Sequence, residues 1–264
     1  MASIYRTLAE LEEKGETGVL CTIIKTSGST PRHAGSRMLV YPDGSFISTI
    51  GGGEMESRIL AEALDALKDR KSRILQYNMV DPQQGDPGVC GGHLEVFVEP
   101  ILPRPLLVVI GGGHVGKAVA HLASWLGFRV AVSDDRPEMC TPEVNPDAED
   151  FCPVPMVELP KHLNISKSTY LVLTTRGVEI DIQGLPALLD TQAGYIGVIG
   201  SRRRWQITRK ALLEMTGMTE EKISRVHSPL GLDLKAETPE EIALSIMAEI
   251  IMLRKGGSGK PMKG

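Results

Sequence analysis

The 264-residue chain carries 29 basic and 33 acidic side chains, a net charge of −4, and is 42% hydrophobic. This is an ordinary globular composition, and it speaks against a nucleic-acid binder, because the longest basic cluster is only Arg202-Arg203-Arg204. No stretch approaches the roughly 18 apolar residues of a membrane helix, the N-terminus has no signal-peptide core, and four cysteines are too few for a disulfide scaffold. The expectation is a cytoplasmic, reduced protein.

In chain order, residues 2–14 read as a helix with Ile4, Leu8 and Leu11 on one face. "TGVLCTIIKT" reads as a strand, "SGSTPRHAGS" as a loop, and "RMLVYPDGSFISTI" as a hairpin around Pro42-Asp43-Gly44. "GGGE" opens a helix running to about residue 70, and "SRILQYNM" and "HLEVFVEP" supply further strands. Pro100, Pro103 and Pro105 then interrupt regular structure by removing amide donors.

Beyond them "LLVVIG" is a continuous apolar strand and 115–127 a helix. "FRVAVSD", "TYLVLTT", "GYIGVIG" and "SRVHSP" follow as strands, and "RRRWQITRKALLEMTG" and "TPEEIALSIMAEIIMLRK" as helices. Thr238 marks the last helix start, with Pro239 and two acids behind it. Alternating strands and helices point to a doubly wound parallel sheet. The expected fold class is therefore α/β. An N-terminal α+β domain occupies 1–103, a Rossmann-like domain 104–256, and a flexible tail 257–264.

Three glycine-rich turns carry the candidate chemistry. Gly111, Gly113 and Gly116 form G-x-G-x-x-G between an apolar strand and a helix, the pattern of a dinucleotide-binding turn. The first glycine permits the turn, the second lets backbone approach a pyrophosphate, and the third lets helix and strand pack closely. His114 and Val115 complete the turn, and there the backbone amide of His114 counts for more than its ring. Asp134, about 20 residues on, stands where a ribose-binding carboxylate belongs, and an acid there disfavours a 2′-phosphate. NAD or another nucleotide is the ligand this turn suggests.

Gly51-Gly52-Gly53-Glu54 repeats the strand–glycine–helix logic and offers an anion cradle at a helix start. Glu54 is either a helix-start acid matching the dipole or a ligand contact. Cys90, followed by Gly91 and Gly92, suits a nucleophile, a sulfur carrier or a soft-metal ligand. Cys21 reads as core, and Cys140 and Cys152 as incidental loop cysteines. His33 and His93 border the loops, where a lone histidine is seldom a ligand.

Taken together, "GSTPRHAGSRMLVYPDGSFISTIGGGEMESRI", "GVCGGHLEVFVEP", "VIGGGHVGKAVA", "VSDDRPE", "YIGVIGSRRRW" and "SPLGLDLKAETPEEIALSIMAEI" resemble the XdhC/CoxI family of molybdenum-cofactor maturation proteins. The resemblance spans nearly the whole chain. It implies a chaperone that binds molybdenum cofactor, as molybdopterin or its dinucleotide form. It further implies support of sulfuration, with a cysteine desulfurase as sulfur donor, and delivery to an apo molybdenum hydroxylase such as xanthine dehydrogenase. It places Cys90 at the metal or its sulfur, adds Gly51, Gly52, Gly53, Glu54, Gly91 and Gly92 to the cofactor contacts, and assigns an anion-binding role to Gly200, Ser201, Arg202 and Arg203. Arg204 stands where the family pattern has lysine, and Val178 where many relatives have histidine. A homodimer is the default assembly. The alternative is an NAD-dependent oxidoreductase acting on a small molecule.

Overall fold

The computed structural model describes residues 4–79, 87 and 91–263. The chain divides into two compact units, Met1–Pro103 and Arg104–Gly264.

The first unit is an antiparallel sheet with a long helix packed on one face. Its helices are α1 (Ile4–Lys14) and α2 (Gly53–Asp69), and its strands are β1 (Gly18–Ser27), β2 (Arg37–Val40), β3 (Phe46–Ile47), β4 (Arg73–Asn78) and β5 (His93–Ile101). The spatial order is β3-β2-β1-β5-β4. Period-two alternation puts Leu94, Val96 and Val98 of β5 on one face, with Val19, Cys21 and Ile23 of β1 beside them. Helical spacing turns Met55, Ile59, Ala63 and Ala66 of α2 onto that face. Burying each large apolar side chain contributes about 1.5–3 kcal/mol. The sheet therefore holds β1 and β5 firmly, with the loop after β1 and the Gly91-Gly92 turn at one end of that pair, while Gly51–Gly53 joins β3 to α2.

The second unit is a six-stranded parallel sheet covered on both faces. Its strands are β6 (Leu106–Ile110), β7 (Arg129–Ser133), β8 (Asp150–Cys152), β9 (Thr169–Leu173), β10 (Tyr195–Val198) and β11 (Val226–His227). Its helices are α3 (His114–Trp125), α4 (Leu159–His162), α5 (Val178–Leu189), α6 (Arg202–Leu213), α7 (Glu220–Ile223) and α8 (Pro239–Lys255). The order β11-β10-β9-β6-β7-β8 is the 3-2-1-4-5-6 arrangement of dinucleotide-binding folds, read from either edge. In β6, Leu107 and Val109 join the core beneath α3 and α8, while Val108 and Ile110 join the core beneath α5 and α6. That double burial explains the unbroken apolar run in the sequence. Chain direction reverses its winding between β6 and β9, which opens a crevice at their C-terminal ends.

The α/β class and the Rossmann-like sheet agree with the sequence pattern. Four elements were not in it. β8 is only three residues long, α4 and α7 are four residues each, and α5 carries Gly184 and Pro186, which break its helical signal. The two cysteines read as loop residues are also corrected. Cys152 lies in β8 and Cys140 donates its thiol to the Val132 carbonyl, and both are buried. Among the described residues no helix is long and apolar enough to cross a membrane.

Candidate functional site

In the first unit three loops converge. A side chain at Gly92 would collide with the Ser29 carbonyl oxygen, and one at Gly28 would stand 2.9 Å from the Gly91 carbonyl oxygen. One at Gly51 would meet Pro31 at 2.9 Å. The "SGSTP" loop after β1 thus joins the "GGG" loop to the Gly91-Gly92 turn. It is a member of the site that sequence reasoning treated only as connecting chain. Its signal was there in Gly28, placed next to two other glycine loops by the β1–β5 pairing of Ser27 with His93. Cys90, the thiol the sequence singles out, lies outside the described residues.

Gly51, Gly52 and Gly53 have φ of 144°, 77° and 70°, a succession closed to residues with a Cβ. The carboxylate that closes this loop is Glu56, not Glu54. Glu56 Oε2 accepts from the Ile50 amide at 3.2 Å, the Gly52 amide at 3.3 Å and the Thr49 hydroxyl. Glu54 turns along the exposed face of α2 to Arg58, 2.6 Å away. The Gly52 amide of the anion cradle, and the Ile50 amide just before it, are therefore already engaged by a protein carboxylate.

In the second unit the glycine turn joins β6 to α3. A Cβ at Gly116 would collide with the Gly111 carbonyl, so the third glycine sets the close helix–strand approach. Gly113 caps α3 and faces open space, leaving room for a ligand at the helix N-terminus. His114 is exposed at the first helical position, and Val115 packs toward the core beneath α3. The Thr174 hydroxyl, at the end of β9, donates to the Gly111 carbonyl at 2.7 Å and closes the turn from the other side.

Asp134 ends β7 with its side chain 2% exposed. Its Oδ2 accepts from the Gly112 amide at 2.8 Å and from Arg136 Nη2 at 2.9 Å. Its Oδ1 accepts from the Arg136 amide at 3.0 Å and from Arg136 Nε at 2.9 Å. Next to it, Asp135 and Arg176 form a two-bonded pair at 2.7 and 2.8 Å. The Arg176 guanidinium holds the Asp135 carboxyl below its ordinary range, and Asp134 holds the Arg136 guanidinium above its own.

These groups edge a cavity of about 290 Å³ that opens beside the glycine turn. Its lining runs from Gly111 and Gly113 through the Asp134–Arg136 and Asp135–Arg176 pairs to Met156 and Ile180, so one wall is charged and one is apolar. The cavity stands at the switch point of the parallel sheet, where folds of this type hold their ligands.

The Gly200–Arg203 stretch begins α6. Ser201 caps the helix by accepting from the Arg204 amide at 3.2 Å, and Arg202 and Arg203 are exposed. Gly200 borders a second cavity, about 320 Å³, whose other side is formed by Leu232, Asp233 and Ser245. Arg204 folds inward instead, onto Asp181, Thr175 and Gly177. Among the described residues no group of three His, Cys, Asp or Glu side chains could hold a metal ion.

Comparison with known families places both halves. Residues 107–250 match the XdhC Rossmann domain, and residues 11–78 match the XdhC and CoxI family. The chain belongs to the XdhC/CoxI family. It is 37% identical over 266 residues to YqeB of Escherichia coli (strain K12), an alignment covering 97% of this chain and 47% of YqeB. The chain therefore spans about half the length of that relative. It is 25% identical to a probable xanthine dehydrogenase component of Bacillus subtilis (strain 168), covering 97% of this chain and 98% of that one. It is 22% identical to the molybdenum cofactor insertion chaperone PaoD of Escherichia coli (strain K12), covering 96% and 88%. A crystal structure titled a xanthine dehydrogenase, from Bacillus halodurans, shares the fold at a TM-score of 0.52 and 21% identity, covering 99% of this chain and 98% of that one.

Within this XdhC/CoxI chain, the structure brings Gly111, Gly113, His114, Gly116 and Asp134 to one turn. Gly200, Ser201, Arg202 and Arg203 stand at the end of β10, two strands away from β6. Gly51, Gly52, Gly53, Glu54, Gly91 and Gly92 belong to the first unit. Sequence reasoning missed Arg136, Arg176 and Glu56. For two of them the sequence signal was a place next to a motif: Arg136 directly follows Asp134-Asp135, and Glu56 lies two residues beyond Glu54.

Proposed function

We propose that this chain is a maturation chaperone: it binds molybdenum cofactor and delivers it to an apo molybdenum hydroxylase of the xanthine dehydrogenase type. The observation that carries the reading is the near-complete alignment with an insertion chaperone, PaoD, together with a probable xanthine dehydrogenase component. The residues present suit such a ligand. Open space at Gly113 and the N-terminus of α3 can receive a phosphate or pyrophosphate. Met156 and Ile180 offer an apolar wall to a flat ring. When bound, the cofactor supplies the molybdenum centre that the client enzyme needs. The protein's own part is to bind, orient and shield it.

Sulfuration belongs to the same reading. Cys90 is the thiol that carries sulfur or contacts the metal, and a cysteine desulfurase is the donor. Gly91, the next residue in the chain, and Gly52 and Gly53 have open space where a side chain would stand. The dinucleotide-type strand order favours a second reading, an NAD-dependent oxidoreductase.

One titration separates them. Purified protein is mixed with molybdenum cofactor released anaerobically from a donor enzyme, and bound pterin is measured after gel filtration. NAD and Cys90→Ala are run alongside. Stoichiometric pterin retention that NAD does not compete away, weakened by the substitution, is the expected result. Saturable NAD binding with no pterin retention would overturn the chaperone reading.

A further inference from the structure

By its spacing, the acid at the end of β7 should bind a ribose and turn away a 2′-phosphate. The structure removes it from that task. Each oxygen of Asp134 already accepts two hydrogen bonds, and the side chain has almost no surface left. A ribose hydroxyl can reach it only by displacing Arg136.

The pocket presents cations at that place instead. Arg136 spends Nε and Nη2 on Asp134, and among the described residues its Nη1 has no partner; its side chain is 38% exposed. Arg176 reaches the same carboxylate from the end of β9, with Nη1 4.0 Å from Asp134 Oδ1, and its side chain is 49% exposed. Two guanidinium groups from different strand ends thus flank one buried carboxylate, and both line the cavity beside the glycine turn. The Arg176–Asp135 pair is two-bonded but open to solvent on both sides, with side chains 49% and 37% exposed, so water screens it and a ligand can reach the guanidinium. A dianion carries more charge than the Asp135 carboxylate it must displace, and Arg–phosphate contacts are likewise charge-assisted and two-bonded. An arginine near this strand end is the usual means of accommodating a 2′-phosphate.

We infer that the mouth of this pocket is a phosphomonoester site, held by Arg136 and Arg176, and that it selects ligands bearing a terminal phosphate at the end remote from the glycine turn. Two sources share this chemistry: a nucleotide phosphorylated on its ribose 2′-oxygen, and a pterin phosphate whose ring lies along Met156 and Ile180. The inference goes beyond the chaperone reading, because it concerns the anion and holds whether or not molybdenum is carried.

The test is calorimetric titration of the full chain, free of molybdenum cofactor, with adenosine, 2′-AMP and 5′-AMP, and with neopterin and neopterin monophosphate. The expected result is that 2′-AMP or neopterin monophosphate binds at least about tenfold more tightly than its unphosphorylated parent, a difference of about 1.4 kcal/mol. Which of the two gains identifies the source. Arg176→Gln is expected to bring the phosphorylated ligand within about threefold of its parent, about 0.65 kcal/mol, and Arg136→Lys to reduce the preference in part. Arg176 is exposed and holds no core group, so its variant serves if Arg136 substitutions fail to fold. No preference for either phosphomonoester overturns the inference. So does a preference that survives Arg176→Gln, or, where 2′-AMP gains over adenosine, 5′-AMP binding as tightly as 2′-AMP, since the anion would then sit at the glycine turn.

Discussion

Arg204 and Asp181 form a buried ion pair that ties α6 to the start of α5. Arg204 Nη2 stands 2.6 Å from Asp181 Oδ2, and Nε stands 3.0 Å from the same oxygen. The same guanidinium donates to the Thr175 and Gly177 carbonyls at 3.2 Å and to the Thr175 hydroxyl at 2.7 Å, while that hydroxyl donates to Asp181. Asp181 is fully buried, and burial raises its carboxyl above the ordinary range even with these donors around it. The network fixes the Thr174–Gly177 loop, which lines the pocket.

Removing one partner of a buried pair leaves the other uncompensated and costs about 3–5 kcal/mol. Arg204→Ala is expected to lose about 3 kcal/mol or more in urea unfolding. Arg204→Lys keeps the charge but has no fork to serve Asp181, Thr175 and Gly177 together, so it loses a smaller amount. A loss below about 1 kcal/mol for Arg204→Ala would show the pair to be incidental.

How far the sequence discloses this chain depends on how local each feature is. The strand, turn and helix at 106–125 are legible because every requirement is met by neighbours: an apolar run, three glycines, a helical period. α5 is not, because Gly184 and Pro186 spoil its period. Only the packing explains Gly184, where a side chain would collide with Met156. Asp134 is found by its spacing, but its role is not, since the donors that saturate it come from Gly112 and Arg136 folding back. Arg176 reaches the same place from about 40 residues away, and no spacing rule covers that distance. Glu54 and Glu56 differ only in helical phase, which decides which of them looks back at the loop.

That phase difference gives a paired test. Glu56→Ala strips an acceptor from the Ile50 and Gly52 amides and the Thr49 hydroxyl. Leaving such donors unsatisfied costs about 1–3 kcal/mol. Glu54→Ala removes only an exposed i,i+4 pair with Arg58, worth about 0.3–0.5 kcal/mol. Denaturant midpoints should separate the two variants clearly. Equal midpoints would mean that Glu56 does not hold the loop.

The glycines of the dinucleotide turn should likewise divide into structural and ligand-facing. Gly116→Ala forces a methyl group against the Gly111 carbonyl and is expected to lower the melting temperature by several degrees, as a destabilisation of about 2 kcal/mol would in a domain this size. Gly113→Ala has open space and an ordinary φ of −73°, so it is expected to melt like the parent while binding pterin or nucleotide more weakly. Calorimetry and ligand retention on both variants check this. Unchanged binding in Gly113→Ala would remove that residue from the ligand surface.

The thiols that the structure describes should be silent in the native state. Burial pushes Cys21 up to about 12 and moves Cys140 and Cys152 upward as well. At pH 8 they are buried and protonated, and the thiolate is the reactive form. In Cys90→Ala, iodoacetamide is expected to leave all three unmodified until the protein is unfolded. Rapid native labelling of any of them, read by mass spectrometry, would contradict the packing around it.

Acid should loosen the far side of the second unit through Glu249. Its carboxylate accepts from the Gly231 amide at 2.6 Å, the Tyr195 hydroxyl at 2.9 Å and His227 Nδ1 at 3.0 Å. Burial works to raise its pKa, but His227, the Gly231 amide and Tyr195 together hold it below the ordinary 4.5. A carboxylate with a depressed folded-state pKa adds stability that is complete above its unfolded value and lost as pH falls through the folded one. Stability should therefore be insensitive to this group above about pH 5 and decline below about pH 4.5 as Glu249 takes up its proton. Glu249→Gln keeps the shape and removes the titration, so its melting temperature should start lower at pH 7 and converge on the parent's between about pH 5 and pH 3. If the gap between the two proteins stays constant across that range, Glu249 does not anchor the Gly231 loop through its charge.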